Sequence, residues 1–294
     1  MVSLSYIGVW VMDVASLLVI VPGHSGILMM YIHDSMKKNG LNIKDQLFCG
    51  LSICSLVHGT CQATQDFFLV WEVHEMSNNF IIILIRLITM SCTLFFSTWL
   101  SCYFCLKIVN LNTRWYIYVQ RRFPQIFPWL LLLSVLGSVL CSAPLAFFGG
   151  KHVLQNTTVN GLKHLMTRPH LLSSLKFYIT VCLMWFMLFL SSSCPIVVSL
   201  YQHMRRIQVS PPGSTIPTLE PHITAVKTIT MLMIINVLYC FSLIFLLVSG
   251  HKLVFKYVNV TMFNICFLVS FVISIRGNQK VWKKLKVIVG KCPG

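Results

Sequence analysis

Apolar residues run through this chain in seven long stretches, separated by short polar joints. They fall at Val9–Ile32, Leu47–Val70, Phe80–Ile108, Ile126–Phe148, Leu175–Tyr201, Ile223–Ser249 and Val258–Ile275. An apolar run of about 20 residues matches a hydrocarbon layer roughly 30 Å thick. Backbone groups inside lipid find no water, so each run predicts a helix that closes its own hydrogen bonds. The pattern therefore predicts an all-α bundle of seven transmembrane helices. Seven spans and their joints use the whole length, so residues 1–294 are expected to form one domain.

Charge sharpens the topology. Only 10% of the residues are charged and 56% are hydrophobic, against about 25% charged in a soluble domain. The net charge is +16. With the N-terminus outside, sixteen Lys and Arg fall on the inner side, six fall outside and Arg86 lies within a span. Basic joints stay in the cytoplasm, so the N-terminus is expected outside and the C-terminus inside. The same placement points the positive charge at membrane lipid rather than nucleic acid. No basic segment precedes the first long run, which predicts a retained helix rather than a cleaved signal peptide.

Eleven of the twelve cysteines lie in predicted spans and none in an outer loop, so the pattern offers no outer disulfide. The twelfth, Cys292, lies in the tail and is a candidate for palmitoylation. The tail, 277–294, alternates Val281, Trp282, Leu285 and Ile288 with Lys280, Lys283, Lys284 and Lys286. At helical spacing this gives a basic amphipathic segment suited to the inner leaflet. The longest outer joint holds the sequon Asn156-Thr157-Thr158, with Asn156 as the expected glycosylation site. The sequon at Asn259 lies at the mouth of the last span.

An ionisable group inside a span costs roughly 2.5–3.5 kcal/mol on insertion scales. Arg86, among Ile83, Leu84, Leu87 and Ile88, therefore needs a reason. It has three: a pair with Asp66 on the second helix, snorkelling toward the outer surface, or a cationic anchor for an anionic ligand. Asp13, His24, Asn236 and Asn264 are polar groups expected to pack between helices. Enzymatic chemistry finds no support. The seven acidic residues form no pair on one helix face, and neither a His-Glu-x-x-His nor a Gly-x-Ser-x-Gly motif occurs. No cofactor or metal is implied.

The inner ends of the spans carry a resemblance. Leu100-Ser101-Cys102-Tyr103-Phe104-Cys105-Leu106-Lys107-Ile108-Val109-Asn110 is similar to the segment closing helix three of the bitter taste receptor family, type 2. Ser199-Leu200-Tyr201-Gln202-His203, the stretch His222 through Thr228, Tyr239 with Ser242, and Gly277-Asn278-Gln279-Lys280 resemble further motifs of that family. The Asp-Arg-Tyr and Asn-Pro-x-x-Tyr motifs of rhodopsin-like receptors do not occur. The chain also departs from the type 2 pattern. His24 and Ser55 stand where the family commonly has Asn and Arg, Trp185 where it has Pro, and Ser270-Phe271 where it has His-Ser. Loss of the Asn together with the Arg avoids a buried Arg without its partner.

The resemblance implies a G-protein-coupled chemosensory receptor of the plasma membrane for small bitter compounds. Type 1 vomeronasal-like receptors and a small membrane transporter are the alternatives. It implies a ligand cavity lined by Arg86, Leu87 and Met90 of helix three, and by Phe177, Tyr178 and Val181 of helix five. Tyr239 and Ser242 of helix six, with Val260 and Asn264 of helix seven, would complete it. Arg86 in place of a family aromatic suggests anionic agonists held by paired hydrogen bonds. The implied partner is a gustducin- or Gi-like heterotrimeric G protein, flanked by Phe104, Lys107, His203, His222 and Lys227. Contact with membrane lipid is the other account of those basic residues.

Overall fold

A computed structural model describes residues 4–38, 40–71, 80–109, 113–155, 169–209, 220–249 and 253–276. Among the described residues there are seven helices and no strand. They are α1 (Leu4–Lys38), α2 (Ile43–Val70), α3 (Phe80–Ile108), α4 (Arg114–Gln155), α5 (Pro169–Val209), α6 (Glu220–Ser249) and α7 (Leu253–Arg276). Five contain stretches long and apolar enough to cross a membrane: Trp10–Lys37, Ile43–Phe68, Phe80–Ile108, Tyr116–Phe147 and Ser173–Ser199. The apolar parts of α6 and α7, Lys227–Ser242 and Thr261–Ile275, are shorter.

Each apolar run sits inside one helix, but most helices outrun their run. The expected fourth span, Ile126–Phe148, becomes a helix of 42 residues, and the fifth, Leu175–Tyr201, one of 41. Apolarity marks where lipid begins and ends, whereas hydrogen bonding continues wherever the backbone can close it. Pro124, Pro128 and Pro144 all lie inside α4. Neighbouring helices and hydroxyl side chains tolerate such prolines in apolar surroundings.

α3 is the central helix and packs against α2, α4, α5 and α6. Every residue from Thr89 to Thr98 on it is buried. A helix that is apolar on all sides is stable only where neighbours cover all sides. α1 packs on α2 and α7, and α6 on α5 and α7. Lipid tails are as apolar as leucine, so close approach and polar contacts must hold such a bundle. Both occur. A Cβ on Gly50 would fall 2.8 Å from the Phe96 ring, and one on Gly23 would collide with the Phe271 ring.

Hydroxyls supply the polar contacts. Ser101 Oγ and Ser193 Oγ share a hydrogen bond of 2.8 Å between α3 and α5, and Ser192 Oγ donates to Ser101 Oγ at 2.9 Å. Ser55 and Ser270 share one of 3.1 Å between α2 and α7. Ser97 Oγ donates to Asn236 Oδ1 at 3.0 Å, tying α3 to α6. The positions that depart from the resembled pattern thus fit one another. Ser55 meets Ser270, and His24 lies edge-on to Phe271 with ring centroids 5.7 Å apart. Trp185, aligned with a family proline, packs α5 on α3 with its ring 4.3 Å from that of Phe95.

Candidate functional site

Near one end of the bundle the charged and amide side chains converge. α2 carries them on one face, because Gln62, Gln65 and Asp66 recur at helical spacing after His58. Gln62 Nε2 donates to Asp13 Oδ1 at 3.1 Å, and Asn264 Nδ2 donates to the same oxygen at 3.1 Å. Ser16 Oγ donates to Asn264 Oδ1 at 2.9 Å. One carboxylate on α1 therefore ties α1, α2 and α7 together. Asp13, Gln62 and Asp66 are all buried, and Asp66 is near enough to Asp13 for the two acids to influence each other.

Arg86 enters this cluster from α3. Its guanidinium donates to Gln65 Oε1, one position before Asp66, the residue named in one of the three accounts of Arg86. The Asp66 and Asp13 carboxylates act on it through their charge. The neighbouring acid pair thus opposes the guanidinium, which offsets the field an anionic ligand would meet. Among the described residues, Arg86 Nε is buried without an acceptor, as is Gln62 Oε1 without a donor.

A second group of side chains lies beside the cluster, where α3 meets α5 and α6, and α6 meets α7. Tyr178, fully buried on α5, donates to the Leu87 carbonyl at 3.2 Å and accepts from Ser91 Oγ at 3.1 Å. Met90 belongs to the same core, and Leu87 and Val181 pack against it. Tyr239 stands 5.8 Å from the Phe263 ring, and Phe263 stands 5.3 Å from His58. His58 Nδ1 shares a hydrogen bond of 3.1 Å with Thr89 Oγ1. This chain of rings joins α6, α7, α2 and α3.

The structure therefore gathers Arg86, Leu87, Met90, Tyr178, Val181, Tyr239 and Asn264 from the expected ligand set, with Ser242 buried nearby on α6. Asn264 is spent on Asp13 and Ser16. Phe177 is not gathered: it is 54% exposed and shares an outward stripe of α5 with Met184 and Met187. The one-residue step from Tyr178 turns it by about 100°. The Val260 side chain lies outside the described residues. Sequence reasoning missed His58, Gln62, Gln65 and Phe263. The first three were detectable as polar positions recurring on one face of an apolar run.

Of the residues expected at the inner surface, Phe104 is buried in the core and Lys107 is exposed, its ammonium 5.7 Å above the Tyr103 ring. Lys227 is exposed on α6. His203 and His222 lie on α5 and α6, but their side chains fall outside the description, as do Asn156, Cys292 and the tail 277–294.

Comparison with known proteins gives this arrangement a context. The family model described as "Taste receptor protein (TAS2R)" matches residues 1–292. Taste receptor type 2 member 2 of Homo sapiens is 33% identical over 144 residues, 47% of this chain and 46% of that protein. Member 41 of Mus musculus is 29% identical over 170 residues, 54% of this chain and 53% of its own. Member 40 of Gallus gallus is 28% identical over 166 residues, 53% of this chain and 52% of its own. The chain spans about half the length of the curated relatives it matches.

Proposed function

Because this chain belongs to the taste receptor type 2 family, we propose that it is a G-protein-coupled chemosensory receptor for small bitter compounds. The family is one of receptors, not enzymes, and the apolar helices make this a membrane protein. The reading has all seven helices cross the plasma membrane with the N-terminus outside. The excess of basic residues on the inner joints supports that orientation.

The ligand site is proposed where α3, α5, α6 and α7 meet, with Leu87, Met90, Tyr178, Val181, Tyr239 and Ser242 as its walls. The observation that carries this placement is the Tyr178 hydroxyl bridging Leu87 and Ser91, beside the Tyr239–Phe263–His58 ring contacts. A buried polar tip on an aromatic body gives a small amphipathic ligand both surface and a hydrogen-bond partner. An agonist that binds one helix arrangement better shifts the population toward it by that difference in affinity. The arrangement it favours would receive a gustducin- or Gi-like heterotrimer at the inner surface, near Phe104, Lys107, His203, His222 and Lys227. Asn156 would carry glycan on the outer face.

The test is a calcium response to a panel of bitter compounds in cells supplied with a gustducin-type chimera. A ligand-dependent rise that needs both receptor and chimera is expected. Solute flux without any G protein would instead support the transporter alternative. A second reading concerns ligand charge. The buried Arg86 Nε, with no acceptor among the described residues, is a donor that a carboxylate or sulfate could occupy. On that reading Arg86→Gln weakens responses to anionic agonists and spares neutral ones. Equal losses for both classes would reduce Arg86 to a partner of Gln65 and the two aspartates.

A further inference from the structure

We infer that one face of α4 is a binding site for an anionic phospholipid, separate from the ligand region. Tyr118, Arg121, Arg122 and Gln125 line an open depression of about 380 Å³ near the start of this helix. Their spacing places them side by side on one face. The Arg122 guanidinium lies 5.5 Å from the centre of the Tyr118 ring, which orients its planar fork across the depression. Both arginines are exposed.

No aspartate or glutamate occurs between Glu75 and Glu220. The two positive charges therefore have no acidic neighbour on their own helix or on α3 and α5, the helices packed against it. Among these helices nothing supplies their counter-charge, which leaves the pair open to an external anion. A phosphate meets that need, since guanidinium groups bind it with two parallel hydrogen bonds.

What continues along the face selects lipid over a soluble anion. One turn beyond Gln125 stands Trp129, 67% exposed, and then Leu133, Leu136 and Leu140, the last 72% exposed. All lie at helical spacing on the same side as Arg122. The face thus passes from paired cations to an indole and then to open leucines. That is the order of headgroup, interface and acyl chain in half a bilayer. Arg122 and Leu133 are about 16 Å apart along the axis at 1.5 Å per residue, roughly the depth of one hydrocarbon leaflet. The inference needs only that α4 lies in a bilayer, and stands whether or not the chain proves to be a bitter receptor.

The experiment uses the full chain in nanodiscs of phosphatidylcholine with a minor fraction of phosphatidylserine, one lipid or the other carrying brominated tails. Bromine quenches nearby tryptophan, and Trp129→Phe identifies the emission due to this position. At equal mole fraction, brominated phosphatidylserine is expected to quench Trp129 well beyond brominated phosphatidylcholine. The preference should fall about five-fold for each arginine replaced by glutamine. Arg121→Lys with Arg122→Lys should retain it, with all variants compared at equal helix content by circular dichroism. Equal quenching by the two lipids, or a preference that survives Arg121→Gln with Arg122→Gln, would overturn the site. Displacement of phosphatidylserine by millimolar inorganic phosphate would overturn the lipid in favour of a free anion.

Discussion

Two parts of the bundle solve the same problem with different chemistry. Around Arg86, the helices are joined by full charges and amides: Asp13, Asp66, Gln62, Gln65 and Asn264. Farther along α2 and α3 the polar links are hydroxyls alone or a hydroxyl with an amide, as in Ser55–Ser270, Ser101–Ser193 and Ser97–Asn236. A buried charge cluster costs heavily when one member is lost, because the remaining charge is left uncompensated. Hydroxyl pairs hold weakly and are cheap to exchange. The charged end is therefore the fixed part of the bundle, and the serine seam the part that can re-pair as helices shift.

That contrast predicts a graded series. Arg86→Ala leaves the buried Asp13–Asp66 acid pair without its cation, and breaking a buried pair costs about 3–5 kcal/mol. Purified protein should show a large fall in thermal midpoint, and adding Asp13→Asn should recover part of it. Full stability in Arg86→Ala alone would remove the charged cluster as the fixed element. Next comes Gly50→Ala, where the new methyl meets the Phe96 ring. Overpacking of this kind costs about 1–3 kcal/mol, and Phe96→Leu should relieve it in the same melting assay.

Smaller effects sharpen the comparison. Tyr178→Phe removes the hydroxyl held between Leu87 and Ser91. It should destabilise by about 1 kcal/mol and also alter agonist potency in the calcium assay. A change in stability with every agonist response intact would move the ligand away from Tyr178. Ser101→Ala with Ser193→Ala should show a coupling of roughly 0.6 kcal/mol in a double-mutant cycle, the average for such contacts in membranes. A coupling as large as the loss in Arg86→Ala would erase the distinction between seam and cluster.

The seven helices were legible because length and apolarity are direct consequences of the solvent. Their ends were not. The fourth span was expected to begin at Ile126, just after Pro124, yet α4 begins at Arg114 and passes through Pro124. Arg86 was legible as a lone cation in an apolar run, with Asp66 as one reason for it, and the Asp66 charge does act on it. The hydrogen bond from the guanidinium to Gln65 was not legible, because a neutral amide gives no charge signal in a sequence. The polar face of α2 was legible in principle. Ser52, Ser55, His58, Gln62 and Asp66 are all buried and fall at steps of three or four. Phe177 and Tyr178 were indistinguishable without a facing helix, because both suit a pocket wall equally well. Only packing separates the lipid side of α5 from its core side.

The Phe271 ring occupies the space in which a side chain on Gly23 would sit. α7 consequently cannot turn about its axis without pushing α1, and Asp13 already pins those two helices to α2. The trio should travel as a single body, which, on the proposed receptor reading, leaves motion to the helices on the opposite flank.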